Sequence, residues 1–136
     1  VQVINSTFGG KAGSGNSAAN GGALSSIGTS WNIVNSLFSY NTAIGTGAND
    51  GNGGNGGAIY NDGNLINTRL CGVQMTQNVA NEGGGAIFFV SNDRTGSIAI
   101  DQSTLTQNTS KQFESQPGMF ILAKAGDPTV TGSTVE

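Results

Sequence analysis

GNGGNGGAIYNDGNLINTRLCGVQMTQNVANEGGGAIFF, residues 51–89, states one phrase twice. Gly56-Gly57-Ala58-Ile59 returns as Gly84-Gly85-Ala86-Ile87, and upstream the same step is written Gly21-Gly22-Ala23-Leu24. A second phrase, Ser-x-apolar-x-x-Asn, alternates with it. It appears as Ser36-Leu37-Phe38-Ser39-Tyr40-Asn41 and as Ser103-Thr104-Leu105-Thr106-Gln107-Asn108. Val73-Gln74-Met75-Thr76-Gln77-Asn78 is the same phrase with Val in the Ser place. Repetition on this scale sets the architecture before any single residue does.

The apolar residue of the second phrase serves as a phase marker. It falls at Phe8, Phe38, Met75, Leu105 and Val135, with spacings of 30, 37, 30 and 30 residues. Helical repeats of that length need long 3.6-period runs of good helix formers, and the chain has none. The local period is two instead. Val3, Ser6 and Phe8 correspond to Ile33, Ser36 and Phe38, then to Leu70, Val73 and Met75, then to Ile100, Ser103 and Leu105, and last to Val130, Ser133 and Val135. Each column repeats one size class, as expected where parallel strands stack ~4.8 Å apart and like lies over like. Asn41, Asn78 and Asn108 then form a corner ladder that hydrogen-bonds along the stack and satisfies backbone groups at each turn. The doubled glycine marks a corner where φ is positive or a side chain would clash. Insertions enter at corners, chiefly over Ile44 to Asn55.

The chain has 136 residues, 23 of them Gly, and only 10% are charged against a typical ~25%. Disorder is excluded by aliphatics that fall in register. The net charge of −3 offers no basic stripe for nucleic acid. No run of ~18 apolar residues spans a membrane. Cys71 stands alone, so there is no disulfide framework. With no initiator Met at Val1, the chain reads as an excised piece of something longer. Two glycosylation sequons, at Asn5 and Asn108, are within chance for a chain so rich in Asn, Ser and Thr. That low-charge composition suits an extracellular or cell-surface protein.

The residues quoted at the outset resemble the GGA-I/F-x-x-N repeat of polymorphic outer membrane proteins, and the similar Asn-rich repeats of large bacterial surface β-helix proteins. The likeness covers nearly the whole chain in four copies. The first copy departs with Lys11 where the Asn belongs, and the last, Gly118-Met119-Phe120-Ile121, keeps only the shape of the Gly-Gly-Ala-Ile step. The resemblance implies an all-β, right-handed parallel β-helix (β-solenoid) over residues 1–136. About four coils of roughly 30 residues are expected, without a helical cap. It implies adhesin passengers and cell-surface proteins, and it is specific for fold rather than for function.

Enzymes on stacked-coil scaffolds gather carboxylates on one face of neighbouring coils, as an acid/base pair or a cation cluster. Among the eight acids, Asp101 shares its column with Ile4, Val34, Cys71 and Thr131, and so stacks on no partner. Glu82 and Asp50 fall in different phases. Asp62 and Asp93 alone come close, at one corner of adjacent coils, and solvated corner carboxylates are the favoured reading of them. There is no His to shuttle protons. The Gly/Asn insertion has only Asp50 where a calcium turn needs an Asp in each repeat, and it lacks the Lys and helix of a phosphate loop. A non-enzymatic chain without cofactor or metal is expected. The Cys71 column tolerates Asp, so it should face outward. Tyr60 and Phe88 follow the aliphatic of successive corner steps and should stack outward as a short aromatic ladder, with Phe89 in the place of Asn61. That strip, Tyr60, Phe88 and Phe89, either binds sugar rings or a partner surface, or is cross-strand packing.

Val130 to Val135 repeats the phase of Val3 to Phe8 with no amphipathic helix, charged edge or Pro-rich strand at either end. Bare strands pair with whatever they meet. Val1, Val3, Ile4, Val130 and Val135 are thus candidate assembly edges, and a contact between unlike ends generates an open filament. The expected function is an extracellular structural or adhesive β-helix that self-associates end to end. The alternatives are a polysaccharide-binding or polysaccharide-cleaving domain, dependent on Asp62 and Asp93, and an autotransporter adhesin passenger that meets a cell-surface glycan or protein through Tyr60 and Phe88.

Overall fold

A computed structural model describes residues 1–46 and 53–136. The strands recur in cycles of four. β1 (Gln2–Ile4), β2 (Thr7–Phe8), β3 (Ser17–Ala18) and β4 (Leu24–Ile27) are followed by β5 (Trp31–Val34), β6 (Leu37–Ser39), β7 (Thr42–Ala43) and β8 (Ile59–Gly63). Next come β9 (Asn67–Cys71), β10 (Gln74–Thr76), β11 (Val79–Ala80) and β12 (Ile87–Ser91). After β13 (Ser97–Asp101), β14 (Thr104–Thr106), β15 (Thr109–Ser110) and β16 (Met119–Leu122), the chain closes on β17 (Thr129–Thr131) and β18 (Thr134–Val135). Every fourth strand shares a sheet. The sheet orders are β1-β5-β9-β13-β17, β18-β14-β10-β6-β2, β15-β11-β7-β3 and β16-β12-β8-β4. Strand pairing within these sheets is parallel throughout, which makes the chain a parallel β-solenoid.

The columns expected from spacing are the observed register. Phe8 lies over Phe38, Phe38 over Met75, Met75 over Leu105 and Leu105 over Val135. Val3, Ile33, Leu70, Ile100 and Val130 form a second column, and Leu24, Ile59, Ile87 and Met119 a third. Their interior members, Ile33, Phe38, Leu70, Met75, Ile87 and Ile100 among them, are fully buried in one continuous core. Phe8 and Phe38 stack with centroids 4.7 Å apart, an offset arrangement that adds about 1 kcal/mol to the area term.

All four corners of a cycle use the left-handed backbone region, the one that leads into the next cycle through Gly28, Leu65, Arg94 and Gly126. Of the other three, one is held by Asn5, Asn35, Gly72, Gln102 and Gly132 and a second by Tyr40, Gln77 and Gln107. The third belongs to the doubled glycine, whose two members do different things. The first, Gly21, Gly56 or Gly84, has φ between 60° and 66°, which only glycine adopts without cost. The second needs space. A Cβ on Gly22 would lie 2.5 Å from the Gly57 carbonyl oxygen, and one on Gly57 would meet that of Gly85. Backbone touches backbone there, and the following Ala58 and Ala86 are fully buried.

Two registers differ from expectation. The first copy's asparagine is Asn16 and not Lys11. Lys11 is exposed on a turn, and the chain takes five more residues before Ser17 pairs with Thr42. In the last copy Met119, not Ile121, lies over Ile87, so the register falls two residues earlier than its shape implied.

Candidate functional site

The outward aromatic strip forms on the face of the β4, β8, β12 and β16 sheet. Tyr60 lies under Phe88, and Phe88 under Phe120. Ring centroids are 5.2 and 5.1 Å apart with interplanar angles of 9° and 21°. Phe113 closes the cluster edge-on, 5.0 Å from Phe120 and 6.5 Å from Phe88. The rings face one another, so cross-strand packing accounts for the middle of the ladder. Phe120 and Phe113 were not singled out from the sequence; alignment of Met119 with Ile87 would have put Phe120 in the ladder. Phe89 is no part of this surface. It points inward and is fully buried, because alternation along β12 sends Phe88 out and its neighbour into the core.

Inside, Phe89 lies over Asn61, which is itself fully buried. Asn61 is satisfied by a polar chain: the Trp31 indole donates to Ser26 Oγ (2.7 Å), Ser26 Oγ to Asn61 Oδ1 (3.0 Å), and Asn61 Nδ2 to Thr68 Oγ1 (2.9 Å). Among the described residues, no buried side-chain nitrogen or oxygen lacks a partner.

The two corner carboxylates have separate duties. Asp62 pairs in register with Val90, accepts from Asn92 Nδ2 (2.8 Å) and from the Tyr60 hydroxyl (3.1 Å). Asp93 is exposed and caps the next corner, accepting from Ser91 Oγ (2.8 Å), the Thr95 amide (3.1 Å) and the Leu65 amide (3.3 Å). These bonds, the Ser91 hydroxyl first, hold its pKa at about 2 against an ordinary 3.8. A lowered carboxylate pKa supports the fold above the unfolded value and loses that support as pH falls through the folded one. Melting temperature measured from pH 5 to 2 should therefore fall more steeply for the wild type than for Asp93→Asn, which keeps the acceptor but cannot ionise. Parallel curves would show that the corner bonds are not maintained in solution. Asp50 lies outside the described residues.

The asparagine ladder is the most complete polar feature. Asn41 donates through its amide (3.0 Å) and Nδ2 (2.9 Å) to Asn78 Oδ1, and Asn78 in the same way to Asn108 Oδ1 (3.1 and 2.8 Å). Asn16 joins below, donating to Asn41 Oδ1. Each rung also donates to the carbonyl of a column residue: Asn41 to Phe8, Asn78 to Phe38, Asn108 to Met75. A serine ladder runs beside it, Ser6 N to Ser36 Oγ, Val73 N to Ser103 Oγ and Ser103 N to Ser133 Oγ.

With these columns in place, residues 35–62 match the Chlamydia polymorphic membrane protein (Chlamydia_PMP) repeat. The chain carries a polymorphic membrane protein-type repeat. Neither a search of curated proteins nor one of solved structures gave a match. The matched polymorphic membrane protein repeat starts at the left-handed corner residue Asn35, passes the ladder residue Asn41 and takes in Gly56-Gly57-Ala58-Ile59. The residues that recur within the chain are therefore structural in this stretch: a rung, a left-handed bend and a backbone-to-backbone contact. Repeats of this type belong to bacterial surface and outer membrane proteins.

Within that repeat architecture the remaining candidates divide by burial. Asn108 is 7% exposed and fully engaged in the ladder, so its sequon is closed to modification in the folded chain, whereas Asn5 is exposed. Cys71 is half-buried between Val34 and Asp101 in its column. Arg69 and Asp101 form an exposed ion pair at 3.0 Å, a kind worth under about 1 kcal/mol. Of the edge residues, Val1, Ile4 and Val130 are exposed, while Val3 and Val135 pack against the core. Among the described residues no helix is long and apolar enough to cross a membrane.

Proposed function

We propose that this chain is a non-catalytic structural and adhesive segment of a bacterial cell-surface β-helix. The observation that carries the reading is the polymorphic membrane protein-type repeat, whose recurring residues go into the stack itself. The separate hydrogen-bonding duties of Asp62 and Asp93 also favour a scaffold over a carboxylate-pair enzyme. End-to-end association is part of the proposal. Both ladders run with one polarity, the amide of one coil donating to the side-chain oxygen of the next, so the two edges of the stack are unlike and complementary. Unlike edges favour head-to-tail growth over a symmetric dimer.

The test has two parts. Protease treatment of intact source cells should remove epitopes of this segment while cytoplasmic controls survive; protection on intact cells but not on lysed ones would end the surface assignment. Sedimentation and electron microscopy of the purified chain should show elongated assemblies that grow with concentration. A strictly monomeric species at millimolar concentration would sink the end-to-end component.

A further inference from the structure

The outward column of the aromatic ladder has a fourth member. Ser25 lies in register with Tyr60, as Tyr60 does with Phe88 and Phe88 with Phe120. Three members supply rings spaced by about one strand, and Ser25 supplies only a hydroxymethyl group. At that place there is a cleft of about 410 Å³, lined by Ala19, Asn20, Ser25, Ser26, Ile27 and Tyr60. Ile27, two residues along the same outward face, is 77% exposed and supplies an apolar edge to it. Asp62 pairs with Ile27 in register and accepts the Tyr60 hydroxyl, which puts a carboxylate near the Ile27 end of the cleft without lining it.

We propose that this cleft takes one pyranose ring of a neutral glycan, with its apolar face against Tyr60 in the ladder position that Ser25 leaves without a ring. The site goes beyond the scaffold reading and does not depend on it. A sugar ring has one face of C–H groups and a rim of hydroxyls. The cleft has the matching parts: an aromatic ring and an isoleucine for the face, with Ser25, Ser26 and Asn20 for the hydroxyls. Among the described residues no Lys or Arg lines it, and the nearby Asp62 is negative. That electrostatics opposes an acidic sugar. An aromatic side chain of a protein would use the ring and leave the polar rim without partners, so the glycan is favoured.

Trp31 makes the proposal measurable, since its indole donates to Ser26, a wall of the cleft. The ¹⁵N-labelled chain is titrated with maltotriose and N,N′-diacetylchitobiose as neutral probes. Trigalacturonic acid serves as the acidic probe and N-acetyl-tryptophanamide as the aromatic one. At least one neutral sugar should shift the amides of Ser25, Ser26 and Ile27 and the Trp31 indole, with a Kd on the order of millimolar for so small a contact. Tyr60→Ala should weaken it about tenfold. Ser25→Phe should complete the ladder, abolish the shifts, and leave the melting temperature equal or raised, which separates loss of the site from loss of the fold. The proposal falls if no neutral sugar shifts these residues. It falls equally if the acidic or aromatic probe binds more tightly, or if the shifts persist in Ser25→Phe.

Discussion

Replacing Asn78 by Ala should destabilise the chain by about 3–5 kcal/mol, among the largest single-residue effects in the molecule. Asn78 is fully buried. Its Oδ1 accepts from both the amide and the Nδ2 of Asn41, and its Nδ2 donates to the Phe38 carbonyl and to Asn108 Oδ1. Alanine leaves the Asn41 amide and the Phe38 carbonyl without these partners in a place that excludes water, and each stranded group costs roughly 1–3 kcal/mol. Asp is no remedy, because it cannot donate to Phe38 and would bury a charge. Asn108→Ala should cost less, since Asn108 makes fewer bonds of this kind and retains slight exposure. Urea unfolding of the three proteins checks the ranking through the midpoint at constant m. An Asn78→Ala midpoint within error of wild type would mean the ladder is not an energetic element of the stack.

Gly85→Ala should cost a comparable amount, on the order of 3 kcal/mol or more, and the variant should be largely insoluble or unfolded at 37 °C. The Cβ would lie 2.5 Å from the Thr109 carbonyl carbon and 2.6 Å from its oxygen, and would also meet the amide nitrogen. These are backbone atoms of β15, and moving them breaks the pairing of β11 with β15. Gly28→Ala is the control. Gly28, unlike Gly85, sits at positive φ (72°), and a Cβ there meets nothing within 4 Å, so its cost is the left-handed penalty alone, about 1–2 kcal/mol. Circular dichroism melts of the two variants separate strain from exclusion. A loss for Gly85→Ala no larger than that for Gly28→Ala would show that the close backbone approach at the second glycine is not maintained in solution.

The contrast between these glycines bears on how far a sequence of this kind can be read. In-register parallel stacking turns sequence spacing directly into spatial contact, which is why the Phe8 and Val3 columns, the Asn ladder and the doubled-glycine corner were all visible from residues alone. Errors arose where the arithmetic of the period fails. The first copy carries a longer turn, so its rung is Asn16 and not Lys11. In the last copy the register falls two residues earlier than the Gly118-Met119-Phe120-Ile121 shape implied, which hid Phe120 from the aromatic ladder. Phe89 was misassigned for a different reason. Its column partner, Asn61, is polar, and polarity suggests an outward face, yet Asn61 is buried because Ser26 and Thr68 satisfy it from adjoining strands. A hydrogen-bond network closed by residues 35 positions before and seven after has no local signature.

The ladders carry a last consequence. Their bonds, like those of the sheets, run from coil to coil and so lie along the stack. Within a coil, hydrogen bonds are short-range and confined to corners and neighbouring strands, as from Trp31 to Ser26 and from Asn61 to Thr68, beside a core shared with adjoining coils. A pull on the two ends of such a chain therefore loads the outermost rung first and peels it before the next feels the strain. Each coil released pays out 30 or so residues, about 100 Å of slack, while the coils behind it stay folded. Anchored at a cell exterior, a stack of this kind yields to drag in steps, lengthening one coil at a time where a close-packed globule of the same size would give way at once.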